Sequence, residues 1–283
     1  MKRLIVTGDD FGLAESINQG IEEAHREGIL TAASLMVGAP AAADAVARAR
    51  RLPTLRVGLH VVLVEGRPVL PASEVPDLVD ERGELSTRLV RAGFSYFFRP
   101  RVRRQLAAEI RAQFAAFRAT GLPLDHANAH NHMHLHPTLL ALIVEVGREF
   151  GLAAVRVPYE PPLASWRAAR SGLVRRLATA ALLAPWIALL RLRLRRAGLK
   201  SNRFAFGLYD SGDMRPELVM RLLDRLPEGV TEIHFHPATA RSPEIDRWMP
   251  AYRHQAELAA LTSRSARDAL RAAGVRRIAF SDL

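Results

Sequence analysis

The histidine-rich stretch His126-Ala-Asn-Ala-His-Asn-His-Met-His-Leu-His-Pro137 holds five of the ten histidines in this 283-residue chain. A predicted strand, Leu122–Asp125, precedes it, and a predicted helix, Thr138–Phe150, follows it. The stretch is therefore predicted to be a strand end or a β→α loop, which is where open α/β folds place their chemistry. If the segment is extended, its side chains alternate between two faces, and four of its imidazoles lie on the same face. These four are His130, His132, His134 and His136.

Neutral imidazole is the commonest metal ligand at physiological pH, so the stretch is a candidate metal site. An incidental, solvated histidine tract fits the stretch alone equally well. The choice between these interpretations depends on partner residues elsewhere in the chain.

The composition is that of a globular protein, with 49% apolar and 24% charged residues. The chain has no cysteine, which excludes disulfides, cysteine nucleophiles and cysteine zinc sites. Any metal must therefore be held by histidines and carboxylates. The net charge of +11 suggests an anionic neighbour such as lipid headgroups, although a high-GC genome explains an excess of arginine equally well.

Predicted strands alternate with predicted helices along the chain, which indicates a parallel sheet or a (β/α) barrel. The predicted strands are Leu4–Val6, Thr31–Val37, Leu55–Leu63, Ala153–Val157, Thr231–His236 and Arg276–Phe280. The predicted helices include Glu15–Glu27, Ala41–Arg50, Pro216–Leu223, Ser265–Ala273 and one with an apolar stripe from Val102 to Phe117. The segment Glu65–Ser86 is predicted to be a long loop that faces the substrate.

Residues 165–200 interrupt this alternation and are predicted to form an inserted helical segment. Arg175-Arg176 precede fourteen uncharged residues, Leu177–Leu190, and four more arginines follow by residue 196. Fourteen residues are too few to span a bilayer, which needs about 20. An apolar stretch flanked by arginines is typical of a helix lying on an anionic membrane surface. A core or interface helix with snorkelling arginines is the alternative.

Polar residues occur at the ends of several predicted strands. Each is unremarkable alone, but a parallel fold gathers strand ends at one face. These residues are Asp9, Asp10, His60, the histidines 130–136, His234 and His236. One carboxylate and two imidazoles occupy three coordination positions of a metal ion and leave the others for water and substrate. The second carboxylate of the Asp9-Asp10 pair can take a proton from that water.

A metal-dependent phosphoesterase and a non-catalytic basic lipid-binding protein remain open alternatives. The lack of basic patches interleaved with aromatic residues argues against nucleic acid.

Four ordered motifs resemble the YdjC/ChbG family of carbohydrate deacetylases: Thr7–Gly12, Gly58–His60, Asn128–His134 and His236–Ala238. The resemblance implies a single domain over residues 1–283, folded as an irregular, TIM-like (β/α) barrel. It implies a divalent ion, zinc or magnesium first, with cobalt, nickel or manganese as alternatives, and an N-acetylated amino sugar as substrate. By the same resemblance, Asp10, His60 and His130 are the metal ligands, Asp9 is the general base and His236 is the general acid. Substrate-binding or supporting roles are implied for His132, His134, Asn128 and Phe11.

Two features depart from the common pattern of the family. Many relatives have Asp-Ser where this chain has Asn128-Ala129. The apolar segment 170–200, together with Phe204–Asp210, resembles the hopanoid-biosynthesis branch called HpnK. That resemblance implies a lipid-linked substrate, N-acetylglucosaminyl bacteriohopanetetrol, which is converted to the glucosaminyl form.

The location and assembly of the protein are also expectations at this point. The chain shows no secretory signal before Asp9-Asp10, so we expect a cytoplasmic protein, peripheral on the inner face of the cytoplasmic membrane. We also expect the anionic membrane surface to be a partner, and a homodimer is a further expectation.

Overall fold

A computed structural model of the protein describes residues 1–87, 93 and 96–283. Within these residues, parallel strands form one seven-stranded sheet in the order β4-β3-β2-β1-β6-β5, and β7 pairs with the start of β1. The strands are β1 (Lys2–Phe11), β2 (Ala32–Leu35), β3 (Arg56–Val61), β4 (Leu124–Ala129), β5 (Phe204–Phe206), β6 (Gly229–Phe235) and β7 (Arg276–Arg277). The parallel α/β class predicted from the alternation is confirmed.

Helices cover the sheet, as crossover connections between parallel strands require. They are α1 (Glu15–Arg26), α2 (Ala42–Arg50), α3 (Pro100–Ala119), α4 (Pro137–Glu149), α5 (Pro162–Ala169), α6 (Leu173–Arg196), α7 (Pro216–Leu223), α8 (Pro243–Trp248), α9 (His254–Thr262) and α10 (Arg264–Ala272). The apolar stripe of α3 is buried from Val102 to Phe117, as its spacing predicts. The central strand β1 is buried from Leu4 onward, because both of its faces are covered.

The predicted strand Ala153–Val157 joins the two edges of the sheet. The backbone amide of Ala127 in β4 donates to the carbonyl of Ala154 at 3.0 Å, and the amide of Val155 donates to the carbonyl of Lys200 at 3.0 Å. Further along, the amide of Ala205 in β5 donates to the carbonyl of Tyr159 at 2.8 Å. The segment makes isolated bridges rather than a regular strand. The sheet therefore curls toward a barrel.

The histidine stretch lies at a strand end and in a β→α connection, as predicted, but it is not extended throughout. Residues His130–Leu135 form a 3-10 segment, within which Asn131 and His132 have left-handed backbone angles (φ 52). The alternation of side chains is broken there, so the four histidines do not share a face. The strand before the segment begins at Leu124 and continues to Ala129, four residues beyond its predicted end.

The apolar segment forms one continuous helix, α6, which runs through Pro185. By length and composition, the 24-residue helix is long and apolar enough to cross a membrane. The expectation that the segment is too short to span a bilayer is based on residues 177–190 alone and does not hold for the whole helix. Packing fixes it to the protein, since Ile187, Leu190 and Leu194 are buried. Near its start, buried Arg176 donates to Asp210 at 2.7 and 2.8 Å.

Candidate metal centre and active-site cavity

A cavity of about 270 Å³ lies at the carboxyl ends of β1, β3, β4 and β6. The strand-end residues predicted to lie close together line it: Asp9, Asp10, His60, His130, His132, His234 and His236. This is the edge at which parallel α/β folds place ligands and catalytic groups. Of the histidine stretch, His130 and His132 reach the cavity.

A local irregularity at the end of β1 brings both aspartates into the cavity. Neighbouring residues in a regular strand point to opposite faces. The pairing of β1 with β2 shifts between Gly8 and Phe11, and Asp10 has a left-handed backbone with φ 59. Aspartate is among the few non-glycine residues that tolerate this conformation. The chain therefore presents Asp9 and Asp10 to the same space.

Three side chains converge at one point of the cavity. The Oδ1 atom of Asp10 lies 3.2 Å from His60 Nε2 and 3.1 Å from His130 Nδ1, and the two nitrogens are 3.4 Å apart. Ligand atoms about 2.0–2.2 Å from a shared ion lie about 3–3.4 Å from one another in tetrahedral or octahedral arrangements. The second oxygen of Asp10, Oδ2, is buried and has no hydrogen-bond partner among the residues that the structure describes. The three residues thus fit a divalent ion.

The electrostatics of the cluster also favour a cation. Burial alone would lower the pKa of His130, but the carboxylate of Asp10 outweighs it and raises that pKa. Burial alone would raise the pKa of Asp10, but His130 and His60 outweigh it and lower that pKa well below its ordinary value. Asp10 is therefore an ionised, fully buried carboxylate that could bind a divalent ion.

Asn128 determines which nitrogen of His60 faces the cluster. Its side-chain oxygen lies 2.6 Å from His60 Nδ1, so Nδ1 carries the proton and Nε2 is free to bind a metal. The Asn128 amide nitrogen donates to Ser34 Oγ at 2.9 Å and to Asp9 at 3.3 Å. An asparagine at this position therefore orients the imidazole without a carboxylate.

Replacing Asn128 with leucine is expected to weaken divalent-metal binding by about 10- to 100-fold, the usual cost of removing an orienting partner. Metal titration with a fluorescent competitor measures the change. Ser34→Ala is the matched control, because it removes a partner of Asn128 and leaves the bond to His60. Wild-type affinity in Asn128→Leu would contradict the orienting role.

Asp9 lies beside the cluster and is held by an arginine that sequence analysis did not select. Arg156 donates to both Asp9 oxygens, at 2.5 and 2.9 Å, and to Glu232 at 2.7–3.0 Å. Burial alone would raise the pKa of Asp9, but Arg156 outweighs it and keeps the pKa well below its ordinary value. Asp9 is thus ionised and fixed in orientation.

His236 lines the cavity beside Tyr252, and the centroids of the two rings are 5.1 Å apart. Its backbone amide donates to Glu257, and burial raises the pKa of Glu257 to about 7. Burial lowers the pKa of His236 to about 4, so its ring is neutral at neutral pH. A general acid at this position must first receive a proton, and the role predicted for His236 stays a prediction.

The other predicted site residues divide between the cavity and its surroundings. His132 packs against His234, with ring centroids 5.2 Å apart, and burial lowers the pKa of both rings well below the ordinary value. His134 lies behind the wall, where its Nδ1 accepts from the Ala129 amide at 3.2 Å. Phe11 is fully buried in the core and does not line the cavity. The role predicted for Phe11, substrate binding or support of the site, stays a prediction.

Two charged residues that sequence analysis missed had a recognisable signal. Arg156 interrupts the apolar run Ala-Ala-Val-Arg-Val, and Glu232 interrupts a buried strand. Buried charges are rare unless they are paired, so both positions indicated ionic partners. Glu65, from the long loop, lies 3.9 Å from His130 and lines the cavity, in agreement with the substrate-facing position predicted for that loop.

The fold and the cavity define a class of protein: a parallel α/β enzyme with a carboxylate–imidazole cluster at the carboxyl edge of its sheet. The chain belongs to the YdjC-like protein family, whose model matches residues 3–272.

Relatives and a solved structure agree with this assignment. The chain is 31% identical over 262 residues to a carbohydrate deacetylase of Geobacillus stearothermophilus, covering 91% of this chain and 88% of that one. A carbohydrate deacetylase of Brevibacillus brevis is 40% identical over 160 residues, 56% of this chain, and the match spans 59% of that relative's length. A crystal structure described as a candidate cellobiose-phosphate cleavage protein from Enterococcus faecalis V583 superposes with a TM-score of 0.77 and 25% identity, covering 99% of this chain and 98% of that one. The predicted enzyme class, a hydrolase of amide C–N bonds, is confirmed by the names of the curated relatives.

Proposed function

We propose that this protein is a metal-dependent N-deacetylase of an N-acetylglucosaminyl group carried by a hopanoid lipid, as in the HpnK branch of the family. The enzyme would work as an irregular (β/α) barrel with α6 as an insertion. The observation that supports the reaction is the placement of an ionised, arginine-held carboxylate, Asp9, beside the Asp10–His60–His130 cluster.

Asp10, His60 and His130 would hold the ion, which when bound lowers the pKa of water and polarises a carbonyl. Two imidazoles and one carboxylate suit zinc, cobalt, nickel or manganese better than magnesium, which prefers oxygen ligands. Among the residues that the structure describes, this is the one group of three potential ligands that comes together. A two-metal phosphoesterase needs a further set of ligands, so this donor set favours the deacetylase.

The chain's own residues supply the proton transfers. Asp9 is ionised and takes the proton from the water that attacks the acetyl carbonyl. The C–N bond then breaks, acetate leaves, and the amine nitrogen needs one proton. His236 is neutral beforehand, so the proton removed by Asp9 must reach His236 before that ring gives it to the amine.

The second candidate substrate is a soluble N-acetylated oligosaccharide. A cleft of about 430 Å³ adjoins the cavity and shares Glu65 and Trp248 with it. Its lining includes Arg67, Glu84 and Arg247, which are hydrogen-bonding groups suited to sugar hydroxyls, and Trp248 offers an aromatic face.

The experiment is acetate release from N-acetylglucosaminyl bacteriohopanetetrol and from N,N′-diacetylchitobiose, each with and without a chelator. Chelator-sensitive release that is faster from the lipid supports the proposal. Faster release from chitobiose would replace the lipid substrate with the soluble one. No release from either substrate, with metal occupancy verified, would reject the deacetylase.

We propose further that the protein is cytoplasmic and binds the inner face of the membrane through α6. Val174 and Leu182 are 79% and 70% exposed on this helix, which carries Arg175 and Arg191 near the ends of its apolar stretch. Apolar residues beside arginines suit an interfacial helix on anionic lipid. Both ends of α6 are fixed to the protein, by Arg176 and by Arg193, which favours lying along a surface over crossing it.

Replacing Val174 and Leu182 with serine is expected to reduce retention on anionic vesicles several-fold, because apolar burial and headgroup attraction act together. Co-sedimentation measures retention. Leu163→Ser is the control, since Leu163 is a 50% exposed leucine on α5. Equal retention of all three proteins would reject the membrane surface as a partner.

A further inference from the structure

An apolar groove of about 530 Å³ opens next to the active-site cavity. Asn131 and His132 line both spaces, and both have a left-handed backbone. The remaining walls are mainly aromatic or aliphatic: Phe97, Phe98, Met133, Leu135, Pro137 and Trp186.

The chemistry of the groove selects an apolar occupant. Among the residues that the structure describes, no aspartate, glutamate, lysine or arginine lines it. Transfer of a hydrocarbon from water to such a surface is favourable, whereas a polar chain would lose hydration and find few polar side-chain partners, chiefly Asn131, His132 and His136 among the described lining residues. The polar cleft on another side of the cavity carries Arg67, Glu84 and Arg247, so the two spaces differ sharply in chemistry.

The groove also opens toward the surface of α6. Trp186 lies on this helix and is 39% exposed, and the helix exposes Leu182 one turn earlier. An occupant that enters from the apolar face of α6 can therefore follow the groove past Trp186 to residues 131–132 and the cavity.

We infer that the groove binds the apolar aglycone of the substrate while the N-acetyl sugar occupies the cavity at the Asp10–His60–His130 cluster. The inference rests on the proposed function and places the apolar part of that substrate's aglycone in the groove. Because the groove and the cavity share Asn131 and His132, the groove is assigned to the substrate itself rather than to a second protein chain.

The test compares kcat/KM for dodecyl and methyl N-acetyl-β-glucosaminide, both below the concentration at which micelles form. In the wild type, the dodecyl-to-methyl ratio is expected to be at least about tenfold, because the alkyl chain is buried. Trp186→Ser is expected to bring the ratio close to one, and Trp186→Phe to preserve most of it, because an aromatic wall remains. Leu192→Ser, which replaces a 44% exposed leucine on the same helix outside the groove lining, is expected to keep the wild-type ratio.

Two outcomes would overturn the inference. The first is a wild-type ratio near one, and the second is equal ratios in the wild type and Trp186→Ser. If the second comes with a change of sedimentation coefficient in Trp186→Ser, the groove is an interface between copies of the chain. If the metal-loaded wild type deacetylates neither glycoside, the proposed function fails, and that result is distinct from the loss of chain-length dependence alone.

Discussion

Replacing Asp9 with asparagine is expected to lower kcat for acetate release by about 10²- to 10⁴-fold, the range contributed by a positioned general base. Arg156 keeps the Asp9 carboxylate ionised and oriented beside the Asp10–His60–His130 cluster. Asparagine preserves the shape of the side chain but cannot take a proton from water. Acetate release and metal content are measured on the same preparation.

The Asp9→Asn variant is expected to bind metal, because the three converging ligand atoms belong to other residues. Asp125→Asn is the matched control for loss of a buried carboxylate. Asp125 is buried in β4, where it pairs with His126 and accepts from the Ser281 amide. A kcat within about twofold of wild type in Asp9→Asn would reject Asp9 as the base.

Replacing His60 with alanine is expected to have the larger effect, because it removes a proposed metal ligand rather than the proposed base. The Nε2 atom of His60 lies 3.2 Å from Asp10 and 3.4 Å from His130, so two of the three proposed ligands remain after the substitution. Metal affinity is expected to fall by more than about 100-fold, beyond the usual cost of losing an orienting partner, and chelator-sensitive acetate release is expected to disappear. Calorimetric metal titration and an acetate assay measure the two effects.

The matched control for His60→Ala is His25→Ala. His25 bonds the Leu30 carbonyl and Thr54 outside the cavity, so its loss should leave metal binding intact. Unchanged metal affinity in His60→Ala would show that the convergence of the three side chains serves packing alone.

The sequence predicted the main elements of the fold because its periodicity is strong where elements are buried. The stripe of α3 and the strand Thr231–His236 are examples, and the observed strand Gly229–Phe235 differs at its ends by two residues or fewer. The approach of Asp10, His60 and His130 could also be predicted, because parallel strands place their carboxyl ends at one edge. Four motifs shared with the YdjC/ChbG family added the roles of these residues, which stay predictions.

Other features depend on backbone geometry that periodicity does not encode. The left-handed residues Asp10, Asn131 and His132 redirect side chains that simple alternation places elsewhere. As a result, His134 lies behind the cavity wall and His136 packs against Phe97. These departures sit at the candidate site, where local rules are most often broken for function.

Ionic pairs between residues far apart in the sequence could not be predicted either. Arg156 contacts Asp9 from 147 residues away and Glu232 from 76 residues away. A buried charge in an apolar run indicates that a partner exists, but it does not identify the partner. The curl of the sheet, which brings segment 153–159 between β4 and β5, makes this pairing possible.

The most direct test of a metal-dependent N-deacetylase is product analysis by proton NMR after metal-loaded protein is incubated with N,N′-diacetylchitobiose and with dodecyl N-acetyl-β-glucosaminide. We expect equal amounts of acetate and free amine, with every glycosidic bond intact, and no product after the metal is removed by a chelator. Cleavage of the glycosidic bond without acetate, or acetate release that persists in metal-free protein, would contradict this function.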